Sequence, residues 1–212
     1  MGLMEPALHE TTLEAGGYVK GVAIAVVTQN QDDEGQCRVK VRYPWYEKPR
    51  ESYWARLAAP MAGGGRGLVM IPEVGDEVLV AFEREDLRFP YILGALWNGQ
   101  DKPPVANDDG KNDKRKLVSR KNHYLLFDDG AQGVVALAHE KGRKVTFDDN
   151  GIVVQDENGN SVSIDSSSGT MTLQANGQLN ITAASISIQA DGTLDLQAGA
   201  TLTINGALVS IN

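Results

Sequence analysis

Several things are scarce in this chain, and each scarcity excludes something. There is one cysteine in 212 residues, Cys37, so no disulfide can close within the chain. Cys37 stands in "GQCRVKV", among strand-forming residues, and reads as a buried structural thiol rather than a nucleophile. No apolar run reaches the roughly 18 residues that a membrane-spanning helix needs. The opening "MGLMEPALHETTLEAGG" has no basic segment leading into an apolar one. The expectation is therefore synthesis in the cytoplasm without a signal peptide. Basic residues are absent beyond Lys144, where the last 68 residues carry seven acidic side chains. The remainder, with 20 basic against 21 acidic residues, is nearly neutral, so the chain falls into two differently composed halves. With a net charge of -8 and no basic face, nucleic acid is not an expected partner.

What the second half has instead is a repeat. From Met171 onward, apolar residues come in pairs separated by one polar residue: Met171/Leu173, Leu179/Ile181, Ile186/Ile188, Leu194/Leu196, Leu202/Ile204 and Val209/Ile211. Such alternation belongs to short β-strands with one buried face. The first members step by 8, 7, 8, 8 and 7 residues, with Gly177, Gly192, Gly199 and Gly206, or Ala184-Ser185, between the pairs. Each unit is thus a strand and a corner, and fixed-period self-similarity marks a solenoid or array rather than an enzyme fold.

One strand and one corner cannot enclose a core, and three sides make the smallest tube. Either one chain supplies three successive units per coil, or three chains supply one unit each and wind together. The steps show no pattern recurring every third unit, and six pairs would make only two single-chain coils, which favours three chains. The predicted trimer core is the twelve paired residues, each worth roughly 1.5–3 kcal/mol of burial before entropy. At about 4.7 Å per strand, six units give roughly 28 Å of rod. A single-chain β-solenoid scaffold is the alternative.

Residues 117–168 show similar pairs at longer spacing, Leu125/Phe127, Val135/Leu137, Val145/Phe147, Ile152/Val154 and Val162/Ile164, with the turn sequences "DDG", "DDNG" and "ENGN" between them. They read as a wider neck of the same fibre. Residues 17–98 read as an all-β domain of about five short strands, punctuated by glycine and proline, which suits a small barrel of the oligonucleotide/oligosaccharide-binding (OB) type. The expected organisation is an N-terminal extension at 1–16, an OB collar at 17–98, a linker at 99–116, the neck at 117–168 and the needle at 169–212. The fold class is all-β.

Within the barrel, "VKVRYPW" followed by "YWARLAAPMAGGGRGLVMIPEVGDEVLVAFEREDLRFPYILGALWN" closely resembles the OB domain of phage baseplate assembly protein V and of VgrG spikes. The matching positions include Pro44, Trp45, Trp54, Arg56, Pro72, Gly75, Asp76, Glu77 and Gly94. The resemblance continues through "SRKNHYLLFDD" and "GIVVQDENGNSVSID" into the fibre. It implies a non-enzymatic homotrimeric spike of a contractile tail or injection system, whose collar carries an intertwined β-helix that breaches the target envelope and meets the membrane only transiently. The hub domains of a full VgrG are not in this sequence, which implies a separate baseplate hub protein. The segment "NGQDKPPVANDDGKNDKRK" has no room for the lysozyme domain that some spikes carry. Some short spikes bind iron at the tip through His-x-His, whereas the last histidine here is His139, so no metal or other cofactor is carried over. A PAAR-type cone is the expected cap beyond "LVSIN".

Sharper chemical readings fare poorly. Gly63–Gly65 lacks the Lys-Ser/Thr of a phosphate loop and reads as a flexible barrel loop. His9, His123 and His139 have no metal-ligand spacing. Asp128-Asp129 and Asp148-Asp149 precede glycine or Asn-Gly and read as turns rather than a glycosidase pair. The basic cluster "NDKRKLVSRK" reads as a solvated linker. A carbohydrate-binding tail protein would need an aromatic or carboxylate groove, and residues 170–212 contain no aromatic residue.

Overall fold

A computed structural model describes residues 17–47 and 50–211. The chain divides into two compact units, residues 1–108 and 109–212. His9 lies outside the described residues.

The first unit is built on alternation. In β1 (Val22–Gln29), Ala25 and Val27 point inward, and in β6 (Glu77–Phe82) Val78, Val80 and Phe82 do the same. With β2 (Lys40–Arg42), β3 (Arg56–Leu57) and β7 (Pro90–Ala95) they form a five-stranded sheet in the order β2-β1-β6-β7-β3. All pairings are antiparallel except β3 with β7. Bulges at Thr28 in β1 and at Leu93 in β7, opposite Leu79 and Val80, bend the sheet. The concave side closes over Val39, Val41, Ala55 and Ile92, which are essentially inaccessible. Tyr43 stacks on Trp45 at 4.8 Å between ring centres and meets Phe82 at 5.8 Å, extending the core with aromatic surface.

Cys37 departs from the expectation. It is half-buried, with a positive φ of 56°, in the turn that precedes β2. Asp32 accounts for that turn: its carboxylate accepts the backbone N–H groups of Glu34, Gln36 and Arg38 and a bidentate pair from the Arg38 guanidinium. These bonds hold its carboxyl well below the usual carboxylate range. The polar turn thus claims the cysteine before the strand begins. The glycine run also has a definite form, a small hairpin of β4 (Ala62–Gly63) and β5 (Arg66–Gly67). Gly67 has a φ of 150°, and a Cβ there would come within 2.6 Å of the Met61 carbonyl oxygen, so a side chain is excluded.

The second unit is a seven-stranded antiparallel meander. Its strands are β8 (Lys114–Val118), β9 (Tyr124–Asp128), β10 (Val134–Ala138), β11 (Lys144–Asp148), β12 (Gly151–Gln155), β13 (Ser161–Asp165) and β14 (Thr170–Gln174), hydrogen-bonded in sequence order. The strands are uniformly five residues long, and Asx turns at Asp128, Asp148, Asp156 and Asp165 make four of the connections, while Ser119 and His139 take that place in the other two. Asp128 Oδ1 accepts from the Gly130 N–H, and Asp148 Oδ1 from those of Asn150 and Gly151. The expected turn role of both acidic pairs is what the structure shows. The basic cluster, by contrast, is not a solvated linker. Lys114, Arg115 and Lys116 lie in β8, opposite Asp128, Phe127 and Leu126, and Arg115 pairs with Asp129 at 2.5 Å. An edge strand tolerates such charge because one side of it has no strand neighbour.

Truncating Ile92, at the centre of the first unit, is expected to cost about 2–5 kcal/mol. Urea unfolding of Ile92→Ala, followed through tryptophan fluorescence, should show this loss. A midpoint equal to the parent's would contradict the assigned core.

Candidate functional site

The register of the meander places its apolar pairs on one face. Leu117 faces Leu125, Leu125 faces Leu137, and Leu137 faces Val145. Beyond these, Val145 faces Val154, Val154 faces Val162, and Val162 faces Leu173. A parallel row runs Phe127, Val135, Phe147, Ile152, Ile164 and Met171. A strand of period two puts both members of each pair on the same side, so the result is a double apolar stripe across β9 to β14, of which one row continues to Leu117 in β8 while the other ends at Arg115. The opposite face carries a middle row of Leu126, Ala136, Thr146, Val153, Ser163 and Thr172, which becomes hydroxyl-bearing toward β14.

Among the described residues nothing fully covers the stripe. Phe127 and Phe147 are about half exposed, Leu137 is 61% and Met171 70% exposed. Beyond β14 the exposure is general. Leu179, Ile181, Ile186, Ile188, Leu194, Leu196, Leu202, Ile204, Val209 and Ile211 are all exposed, Ile188 at 66% and Ile211 at 88%. Residues 175–211 contain no hydrogen-bonded strand, whereas the sequence pattern reads as strands throughout. The physical reason is the absence of partners. A strand needs a neighbour for its N–H and C=O groups, and a chain with only one strand and one corner per level has no second strand of its own within reach. Of the twelve predicted core residues, only Met171 and Leu173 lie in a strand, β14. An apolar stripe of this extent does not remain in water in a stable protein; it marks an interaction surface.

The OB positions singled out in the sequence do not converge on a site. Pro44 and Trp45 make the turn after β2, with Trp45 against the core. Trp54 lies beneath Arg38 and Lys40, at 5.6 Å and 5.0 Å from its ring centre, and Arg56 lies 5.8 Å from that of Tyr91. The Pro72 carbonyl accepts from the Asn30 side chain. Gly75 has a φ of 102°, and its N–H donates to the Val27 carbonyl. Asp76 closes the same turn on the Glu73 N–H, Glu77 opens β6, and Gly94 faces Leu79 at the bulge. These residues shape the barrel and its turns.

One recess in the first unit, about 420 Å³, is lined by Tyr18, Tyr43, Tyr46, Tyr53, Arg50 and Arg88 together with Glu51 and Asp86. Both carboxylates are committed. Hydrogen bonds from Thr28 and Lys40 hold the Glu51 carboxyl below its ordinary range, and those from Arg88 do the same for Asp86. Neither is raised, as a general acid would require. Sequence reasoning missed the contact of His123 with His139, whose rings lie 4.4 Å apart. They are 16 residues apart in sequence and meet because their turns lie on one edge of the meander. Each Nδ1 accepts a backbone N–H, from Glu140 and Lys141 respectively, and among the described residues no cluster could hold a metal ion.

Comparison with known proteins matches these two units separately. Residues 23–97 match the type VI secretion system and phage-baseplate injector OB domain. This match is confined to the first unit, about a third of the chain. Residues 143–212 match the β-helical trimerization domain of Gp138, a range that takes in the stripe from β11 onward and the exposed repeat. The type VI secretion system spike protein VgrG2a of Pseudomonas aeruginosa is 31% identical over 137 residues, 58% of this chain and 16% of that protein. VgrG3 of Vibrio cholerae, also named a type VI spike protein, is 34% identical over 57% of this chain and 13% of its own length. The actin cross-linking toxin VgrG1 of Vibrio cholerae is 34% identical over 96 residues, 9% of that protein. The chain thus spans less than a fifth of the length of these relatives. No described helix is long and apolar enough to cross a membrane.

The turn carboxylates give the trimerization domain a pH signature. Asp165 accepts from the Ser167 hydroxyl and from the Ser167 and Ser168 N–H groups, which lower its pKa to about 2. A carboxyl depressed in the folded state adds stability above its unfolded pKa, near 4, and loses it as pH falls toward 2. Thermal unfolding should therefore weaken over that window, and Asp165→Asn should flatten the dependence. An identical pH profile for the variant would refute the assignment.

Proposed function

We propose that the protein is the central spike of a contractile tail or injection system. In this reading three copies form a rigid needle that breaches the target envelope when the sheath contracts. The single observation carrying the proposal is the continuous apolar stripe, running from β8 into the exposed repeat, within a chain about two thirds of which matches either an injector OB domain or a β-helical trimerization domain. The twelve residues of the repeat, from Met171 to Ile211, would form the threefold core of the needle, with the OB domain as collar between residues 17 and 98 and the neck at 117–168. The names of the relatives support the spike role.

The mechanism is mechanical rather than enzymatic. In a closed bundle every strand pairs along the fibre, no side edge is free, and no long loop is present to buckle, so axial force is carried by the whole cross-section. The outward residues of the repeat, such as Thr172, Asn180, Ser187 and Thr203, are short and polar and would slide through an envelope without snagging. A separate hub protein would drive the collar, and a small PAAR-type cone would cover the exposed Leu208 and Ile211. The assembled particle, rather than the free chain, is where the protein would act. Both carboxylates of the tyrosine-lined recess are committed to ion pairs and hydrogen bonds, which supports a non-catalytic reading of the OB domain.

Ile188→Asp places three carboxylates together on the proposed axis, where burial of unpaired like charge costs several kcal/mol. The variant chain should keep a folded OB domain by circular dichroism but fail to trimerise, and particles carrying it should contract without killing or infecting target cells. Unimpaired particles would overturn the needle assignment.

A further inference from the structure

The recess in the first unit is walled by three stretches of chain. The turn after β2 supplies Tyr43 and Tyr46, the segment before β3 supplies Glu51 to Tyr53, and the stretch between β6 and β7 supplies Asp86 and Arg88. Backbone bonds tie these walls together. The Ser52 N–H donates to the Val41 carbonyl at 2.8 Å, Arg42 pairs with Glu51, and Tyr18 pairs with Asp86. The recess is therefore framed by the sheet's own ladder rather than by a loop free to collapse.

Tyr43 lies at its base, 4% exposed, and burial pushes its phenol up, so the hydroxyl keeps its proton. That hydroxyl has no hydrogen-bond partner among the described residues. The neighbouring Ser52 hydroxyl is already engaged, donating to the Tyr53 carbonyl at 2.6 Å and accepting from the Val41 N–H at 3.0 Å. Buried polar groups are nearly always paired, so a donor left over at the base of an open recess points to a partner that enters from outside.

The rest of the lining restricts that partner. Both carboxylates are matched, Asp86 by Arg88 and Glu51 by Lys40, so a cation would find no free counter-charge. Arg50, the remaining charge of the lining, is exposed, and an exposed charge contributes little to holding an anion. Each Glu51 oxygen accepts one hydrogen bond, from Thr28 or from Lys40, and keeps a lone pair for another donor. Tyr18 and Tyr53, both more than half exposed, add aromatic surface at the rim. Aromatic surface beside neutralised acceptors suits a molecule that is uncharged, bears several hydroxyls and has an apolar C–H face.

We propose that this recess is a non-catalytic binding site for a neutral saccharide of one or two rings, with the Tyr43 hydroxyl donating to a sugar oxygen at the base and Glu51 accepting from a sugar hydroxyl. Its volume of about 420 Å³ fits that size, at the lower end of small-ligand sites, which run from roughly 300 to 1,000 Å³. The site lies wholly within the first unit and does not depend on the trimeric reading above.

The test uses the full chain and saturation-transfer NMR, with glucose, N-acetylglucosamine, maltose, cellobiose, lactose and diacetylchitobiose as probes. At least one should bind, with a Kd on the order of 1 mM. Tyr43→Phe removes only the unpartnered hydroxyl, so it should leave the Tm unchanged or higher while weakening the sugar about tenfold. Tyr53→Ala, at a residue 62% exposed, alters the rim without touching the core and should also weaken binding, whereas Trp97→Ala, exposed and outside the recess, should not. No transfer to any of these sugars, or binding that survives both tyrosine variants, would overturn the site. A lower Tm for Tyr43→Phe would overturn it as well, because the hydroxyl would then have a partner in the free protein. Binding that disappears in high salt would mean that an ionic contact carries it and would overturn the neutral assignment.

Discussion

The constraint on which this protein depends is that a strand cannot stand alone. Its backbone groups need a neighbour, and its apolar side chains need a floor. The OB unit meets both needs within one chain, because its five strands pair with one another and close over Val39, Val41, Val78, Val80 and Ile92. The meander meets the first need and not the second, since its backbone ladder is complete while its apolar stripe is open. The repeat beyond residue 174 meets neither. Dependence on other copies thus increases along the chain, from a self-sufficient barrel through a paired sheet to a segment that has structure only in company.

That gradient matches the work proposed for the molecule. A collar that folds by itself can be made and docked independently, whereas a needle that exists only as three wound chains has no weaker subunit into which it can fail under load. Asx-capped turns occur where the chain doubles back in the meander, and glycine or Ala-Ser separates the apolar pairs of the repeat.

Much of this was legible in the amino-acid order. The pairing of Leu125 with Phe127, or of Val145 with Phe147, states a period of two, and the intervening "DDG" and "DDNG" state a turn; the structure has both. The 8, 7, 8, 8, 7 stepping pointed to trimeric winding, and the trimerization-domain match agrees with it. Direction of travel was not legible. Similar pairs serve an antiparallel meander up to Gln174, whereas residues 175–211 contain no hydrogen-bonded strand. Cys37 was misplaced because "CRVKV" continues a strand pattern, whereas Asp32, five residues earlier, wraps the chain into a turn. The basic residues of β8 read as linker because their partners, Asp128 and Asp129, lie about 14 residues away. The contact between His123 and His139 was hidden for the same reason. Contacts across a sheet leave no local trace unless the register is known.

The central claim is that the repeat closes between chains rather than within one. Multi-angle light scattering of the purified full chain, beside a version ending at residue 116, measures this directly. The account requires a mass three times the 22.8 kDa of the chain for the first and a monomer for the second. A monomeric full chain at micromolar concentration, with its repeat protected from hydrogen exchange, would mean that the coil closes within one copy and would contradict the spike.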